Sequence, residues 1–241
     1  MPDPIFADPR LAAVYDAFDG ERADLTAYRD IAAELGADRV LDVGCGTGNL
    51  AVLLAGAGRT VIGVDPAAAS LAIARSKDRA GRVTWIHGDA TTLPALEVDL
   101  AVLTGNVAQV FLTDAEWAET LRGIRAALRP RGHLVFETRR PERRAWREWA
   151  ADSGPVVREV AGIGAVQRRL GAIEVRLPLV SFRYTYTFPD GAVLTSDSTL
   201  RFRDRDEVER SLVEQGFRVR DVREAPDRPG REFVFLAQRT D

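Results

Sequence analysis

The chain has 241 residues, 46% of them apolar and 29% charged, with a formal net charge of −3; that suits one sizeable core with a smaller insertion and excludes a largely disordered chain. The acidic balance argues against a general nucleic-acid binder, and the single cysteine, Cys45, excludes an intrachain disulfide or a cysteine-rich metal centre. The first residues lack the basic start and apolar run of a signal peptide, and no stretch is apolar enough to span a membrane, so a cytoplasmic location is expected, with no membrane partner.

In chain order, Leu11, Val14, Tyr15 and Phe18 recur at helical spacing. A break at Asp19-Gly20 precedes a second helical run through Leu25, Tyr28, Ile31 and Leu35, with Gly36 where a C-terminal cap belongs. Residues 1–37 therefore read as an N-terminal helical cap. Val40–Val43 is a short apolar strand, followed by the turn Gly44-Cys45-Gly46-Thr47-Gly48 and a helix through Leu50, Leu53 and Leu54. Thr60–Val64 is a second strand, and Pro66 suits the first turn of a helix running to Ser76. Val83–Ile86 and Val98–Leu103 are two more strands. Thr113 and Glu116 have the spacing of a capping box, opening a helix that Pro130 ends, and Leu134–Thr138 is a fifth strand. Short apolar strands separated by helices imply a parallel sheet covered on both faces.

The period changes after about residue 150. Phe182, Tyr184, Tyr186 and Phe188 alternate with polar residues, and Pro189-Asp190-Gly191 is a turn signal, so residues 141–203 read as an inserted antiparallel β subdomain. Its aromatic stripe suits a core face or a homodimer interface, with a substrate-pocket wall as the sharper alternative. Arg139, Arg140, Arg143 and Arg144, interleaved with Glu142 and Glu148, read as a solvated helix face. A helix returns over Asp204–Gln215, and the connection between the last strands, Phe217–Val222 and Glu232–Ala237, is too short for a helical crossover. Those two strands must pair antiparallel. The expected architecture is an α/β core over residues 38–140 and 204–241, built on a Rossmann-like sheet of seven strands with the last antiparallel.

Glycines at 44, 46 and 48 let the backbone approach a ligand closely, and the helix behind them offers free N–H groups. A strand–glycine turn–helix unit implies a nucleotide-like ligand at the carboxyl ends of the strands. The dinucleotide fingerprint needs glycine at the sixth position, which here is Asn49. With Asp42 two residues before the first glycine, the stretch VLDVGCGTG resembles motif I of the class I S-adenosylmethionine (SAM)-dependent methyltransferases. Asp65 ends the second strand where that family has an acidic residue for the two ribose hydroxyls, and a carboxylate with two oxygens suits a vicinal diol. Gly88-Asp89-Ala90 resembles the family's adenine-binding motif, and LRPRGHLVFE its segment into the fifth strand, with Arg131 in place of a usual glycine. The resemblance covers residues 38–138.

It implies S-adenosyl-L-methionine as cofactor, held by Asp42, Gly44, Cys45, Gly46, Gly48, Asn49, Asp65, Pro66, Asp89 and Ala90. Thr104, Gly105, Asn106 and Gln109 follow the fourth strand, where the family contacts the methionine portion and the reacting methyl. Tyr15 and Tyr28 of the helical cap are candidates for the methionine carboxylate, or simple packing residues; Arg22 could serve that carboxylate instead, but reads as an exposed charge. Glu137 and Arg139 end the fifth strand on the same edge and are the catalytic candidates, as a base or an anchor for the substrate. Cys45 as nucleophile is disfavoured, and His87 and His133 read as structural. The segment at Thr104 is not the Asn/Asp-Pro-Pro-Tyr form of enzymes that methylate nucleobase or glutamine nitrogens. The expected function is methyl transfer to an O, N or C atom of a small-molecule acceptor by in-line displacement, without a metal. Rival readings are a non-catalytic SAM-binding regulator or scaffold, a protein or RNA methyltransferase, and an NAD(P)-dependent oxidoreductase, which the glycine spacing opposes.

Overall fold

A computed structural model describes residues 1–20 and 22–241. The elements run α1 (Pro4–Ala7), α2 (Pro9–Asp19), α3 (Asp24–Glu34), β1 (Arg39–Val43), α4 (Asn49–Gly56), β2 (Thr60–Asp65), α5 (Ala68–Lys77), β3 (Val83–His87), β4 (Val98–Leu103), α6 (Asp114–Ala127) and β5 (Leu128–Arg139). Beyond them come α7 (Ala145–Ala151), β6 (Val156–Val160), β7 (Gly164–Arg176), β8 (Leu179–Thr187), β9 (Val193–Arg201), α8 (Arg205–Glu214), β10 (Phe217–Glu224) and β11 (Glu232–Arg239). A seven-stranded sheet has the order β10-β11-β5-β4-β1-β2-β3, with β11 antiparallel to both its neighbours. The inserted segment forms a separate four-stranded antiparallel sheet, β6-β7-β8-β9. Both match the expected class.

The large sheet is apolar on both faces because helices cover both. Trp117, Leu121 and Ile124 of α6 join Val208 and Leu212 of α8 on one face. Leu25, Tyr28 and Ile31 of α3 join Leu50 and Leu54 of α4 on the other. Full burial of each such side chain contributes roughly 1.5–3 kcal/mol. The Trp117 indole donates to Ser211 Oγ at 2.9 Å, linking α6 to α8, and α6 opens on the expected capping box between Thr113 and Glu116.

Four local expectations change. Helix α5 starts at Ala68, not around Pro66, because the Ala67 N–H donates to Asp65 Oδ1 at 2.8 Å and the chain spends Pro66 in that turn. Strand β5 starts at Leu128, six residues early, since its pairing with β4 jumps from Val98↔Leu128 to Leu100↔His133 and the residues between bulge outward. Arg131, in the bulge, has φ 61, the left-handed region that suits the glycine it replaces. Third, the expected helical cap divides. Helix α3 packs on the large sheet, whereas α1 and α2 pack Ile5, Leu11 and Val14 against Val166, Tyr186 and Phe188 of the inserted sheet. Fourth, the arginine cluster is solvated only in part: Arg143 and Arg144 are exposed, whereas Arg139 and Arg140 are partly buried. Arg140 pairs with Glu224 at 3.1 Å and lies over the Phe233 ring, and Arg143 donates to the Gly230 carbonyl at 2.7 Å. Both side chains brace the β10–β11 connection.

The aromatic stripe of β8 splits as well. Tyr186 and Phe188 are buried against α1 and α2, while Phe182 and Tyr184 stay partly exposed beside Trp149 of α7. Among the described residues, no helix is long and apolar enough to cross a membrane.

Candidate functional site

The glycine turn joins β1 to α4. Gly44, Gly46 and Gly48 have φ of 69, 52 and 81. At Gly48 a Cβ would lie 2.6 Å from the Trp85 ring and 2.8 Å from Ala74 Cβ, so space and backbone both demand glycine. The Gly46 N–H donates to Asp65 Oδ2 at 2.8 Å, so the carboxylate that ends β2 braces the turn. Each Asp65 oxygen accepts one backbone N–H, which leaves lone pairs for a further donor. Burial raises its pKa.

Asp42 lies beneath the turn, 1% exposed, with Oδ1 making no hydrogen bond. Burial, and then repulsion from Asp65, push its carboxyl up to about 7. A buried acceptor without a donor is a strained arrangement that an ammonium or N–H ligand group relieves. Cys45 is buried in the turn and burial raises its thiol pKa, which opposes a thiolate nucleophile.

Along the same edge, Asp89 is exposed and its Oδ1 accepts from the Thr91 N–H and hydroxyl at 2.8 and 2.6 Å. Ala90 behind it is buried under Gly123 of α6, where a Cβ would come within 1.9 Å of the Ala90 carbonyl. His87 Nε2 lies 3.0 Å from the Pro66 carbonyl oxygen, a structural contact.

After β4, Thr104 is half-buried, and Gly105 and Asn106 turn with φ of 72 and 62. Glu137, 1% exposed, holds that turn: its Oε1 accepts the Gly105 and Asn106 N–H groups at 2.8 and 3.2 Å, and its Oε2 accepts the Tyr28 hydroxyl at 2.5 Å. Burial, and then Glu232, raise the Glu137 pKa. Both oxygens are committed to the scaffold, so the geometry makes Glu137 a positioning residue rather than a base facing substrate.

Several other candidates are also committed to protein partners. The Tyr28 hydroxyl serves Glu137, not a ligand carboxylate. The Asn49 amide donates to Asp16 Oδ1 at 3.1 Å and accepts from Lys77 Nζ at 2.7 Å, because its side chain turns towards α2 and α5. Asn106 Nδ2 donates to Glu232 Oε1 at 3.0 Å. Gln109 is fully buried, donating to the Arg201 carbonyl at 3.3 Å and accepting from Arg139 Nη1 at 2.9 Å.

Two features escaped the sequence reading. Arg22 is not an exposed charge; it is held by both Asp24 oxygens and by Asp19, and its Nη2 lies 3.8 Å from where a Gly105 Cβ would stand. Asp16 accepts from Thr47 Oγ1 at 2.6 Å and pairs with Lys77 at 2.5 Å, latching α2 to the glycine turn. Lys77 is the chain's single lysine, the one signal that could have drawn attention to this latch.

Tyr15 and Phe18 of α2, Trp149 of α7, and Phe182 and Tyr184 of β8 are all partly exposed. The Arg139 guanidinium lies 5.3 Å from the centre of the Trp149 ring, and Tyr15 packs on Phe6 at 5.3 Å.

Comparison with known proteins agrees with this geometry. Residues 40–132, from β1 into the bulge of β5, match the family model described as a methyltransferase domain. An uncharacterized methyltransferase of Oceanobacillus iheyensis is 36% identical over 99 residues, 41% of this chain and 46% of that protein. The chain thus spans about half the length of the curated relatives it matches. A SAM-dependent methyltransferase from Clostridium acetobutylicum shares the fold with a TM-score of 0.76 at 16% identity, covering 96% of this chain and 98% of that one. A SAM-bound amino pentose methyltransferase from Micromonospora echinaspora does so with a TM-score of 0.72 at 23% identity, covering 95% of each chain. The glycine turn and Asp65 stand together at one edge of a class I sheet. Residues 40–132 thus carry a methyltransferase domain, on a fold shared with solved SAM-dependent methyltransferases.

Proposed function

We propose that the protein transfers a methyl group from SAM to a small-molecule acceptor seated between the inserted sheet and the edge of β4 and β5. The observation that carries this is the brace from Asp65 to the Gly46 N–H, which joins a diol-suited carboxylate to a turn that only glycine can form. Bound SAM supplies a methyl group already activated by its sulfonium. Asp65 then holds the ribose hydroxyls, Ala90 and Asp89 meet the adenine, and the unpartnered oxygen of Asp42 meets the ammonium. Glu137 keeps the Gly105-Asn106 turn rigid against the methionine arm, and α2 with the inserted sheet excludes water from the acceptor. Glu137 spends both carboxylate oxygens on the scaffold, which suits a mechanism dominated by alignment. The likeness in fold to an amino pentose methyltransferase supports a small acceptor.

Calorimetry tests the cofactor directly. SAM and S-adenosylhomocysteine should bind with one-to-one stoichiometry, and Asp65→Ala should weaken both by about tenfold or more through the lost charge-assisted hydrogen bonds. Binding of NAD with no binding of SAM overturns the proposal.

A further inference from the structure

We infer that the cavity between α3 and the β10–β11 connection is a second ligand site, one that takes a small organic amine as its ammonium ion. The cavity measures about 390 Å³, within the range of small-molecule sites. Ala27 and Ile31 of α3, Pro226 of the connection and Val234 of β11 give it apolar walls, and Tyr28 and Glu137 also line it. Among the described residues, none of the glycine turn, Asp65, Asp89 or the inserted sheet lines it. It therefore stands apart from the cofactor edge and from the acceptor seat proposed above.

The charge around the cavity is uneven. Glu137 is buried, and its hydrogen bonds all come from neutral groups: the Gly105 and Asn106 N–H on Oε1 and the Tyr28 hydroxyl on Oε2. Tyr28 is itself part of the cavity wall, so Oε2 is the oxygen on the cavity side. A carboxylate offers about four lone pairs, and three are used, which leaves one on Oε2. Donors alone surround Glu137, as an ionised carboxylate requires, yet among the described residues it forms no ion pair. Burial, and then Glu232, work against its charge. Arg228 attracts that charge from a distance, but its own bonds go to Glu232 at 3.0 Å and Asp227 at 2.9 Å. The other lining carboxylates are already balanced. Asp24 pairs with Arg22 at 2.7 Å, Asp30 with Arg29 at 2.8 Å, Glu34 with Arg223 at 2.6 Å and Glu224 with Arg140 at 3.1 Å. One buried charge in the wall thus lacks a counterion, a costly state that a bound cation relieves. An ammonium donates to Oε2 and cancels the charge, while its carbon body rests on the apolar walls. A neutral ligand leaves the charge standing, and an anion is repelled by it.

The experiment compares matched probes on the full chain by calorimetry: benzylamine against benzyl alcohol, and butylamine against butanol, at low and high salt. At least one amine should bind about tenfold or more tightly than its alcohol, the difference between a charge-assisted and a neutral hydrogen bond. That preference should persist at high salt, because a buried pair is screened far less than a surface one. Ala27→Phe fills the cavity from its α3 wall without touching a polar group; it should abolish amine binding and leave S-adenosylhomocysteine affinity unchanged. Glu137→Gln should remove the preference for the amine, whereas Glu34→Gln, which alters a carboxylate already paired with Arg223, should keep it. Should Glu137→Gln fold poorly, Ala27→Phe decides the matter. Equal binding of amines and alcohols, binding of neither amine, a preference lost in salt, or amine binding that survives Ala27→Phe overturns the inference. SAM binding is measured separately, and its failure bears on the methyltransferase reading alone.

Discussion

Replacing Asp42 with Asn tests the electrostatics of the cofactor edge. The Asp42 carboxyl is raised from an ordinary value of 3.8 to about 7, first by burial and then by Asp65. An acid whose folded pKa is raised stabilises the fold while it is protonated. That contribution is complete below about 3.8 and is lost as pH rises through about 7. Between these values the unfolded chain is ionised and the folded one is not, so stability falls by roughly 1.4 kcal/mol per pH unit. With only 1% of the residue exposed, solvent screening is slight. From pH ~5.5 to pH ~8.5 the wild-type protein should therefore lose about 2 kcal/mol through this residue alone. Asp42→Asn has no proton to lose and should lack that share of the slope. Urea denaturation of both proteins at the two pH values, without cofactor, measures the difference, since every other titrating group is common to the pair. Cofactor binding should respond in the opposite sense. An ammonium needs the ionised carboxylate, so S-adenosylhomocysteine affinity should rise with pH up to about 7 in the wild type and stay flat in the variant. Parallel pH profiles for the two proteins, in stability and in affinity, would refute the reasoning.

Glu137→Ala strands the buried Asn106 N–H and Tyr28 hydroxyl; at about 1–3 kcal/mol for each group, it should destabilise by at least ~2 kcal/mol in denaturant titration. Glu137→Gln, which keeps an acceptor for the Gly105 turn, should retain most of that stability, and equal losses in the two variants would count against the positioning role. Gly48→Ala puts a Cβ 2.6 Å from the Trp85 ring at φ 81; a loss of roughly 1–3 kcal/mol is expected, with cofactor affinity lost in calorimetry. Asp16→Ala should change global stability by under about 1 kcal/mol, because its pairing with Lys77 is partly exposed. Its effect should show in amide exchange instead, faster in α2 and unchanged in β4.

The large sheet was legible because its signals are local and repeated. Val40–Val43 and Val98–Leu103 are short apolar runs that only a doubly covered strand explains, and the terminal pair followed from a connection too short for a helix. The glycine turn was legible because its spacing calls for left-handed backbone, and the structure brings Asp65 onto it. The commitments of side chains were not. That Asn49 answers to Asp16, or Glu137 to Tyr28, depends on contacts between residues 33 and 109 positions apart, and no periodicity encodes them. Arg22 was misread for the same reason: its burial depends on Asp24, Asp19 and the approach of Gly105. The early start of β5 was hidden by Pro130 and Arg131, which read as a turn although the chain keeps pairing around an outward bulge.

The division of the N-terminal helices has a mechanical consequence for the site. Helices α1 and α2 are joined to the inserted sheet through Ile5, Leu11 and Val14, packed on Val166, Tyr186 and Phe188. Burial of three such side chains is worth roughly 1.5–3 kcal/mol each, so this joint is strong. They meet the glycine turn chiefly through Asp16 with Thr47, Asn49 and Lys77, a polar contact open to water and worth about 1 kcal/mol or less. The same helices also lie on α5, where Ser70 Oγ donates to the Phe6 carbonyl at 3.0 Å, so they tie the inserted sheet to the large one.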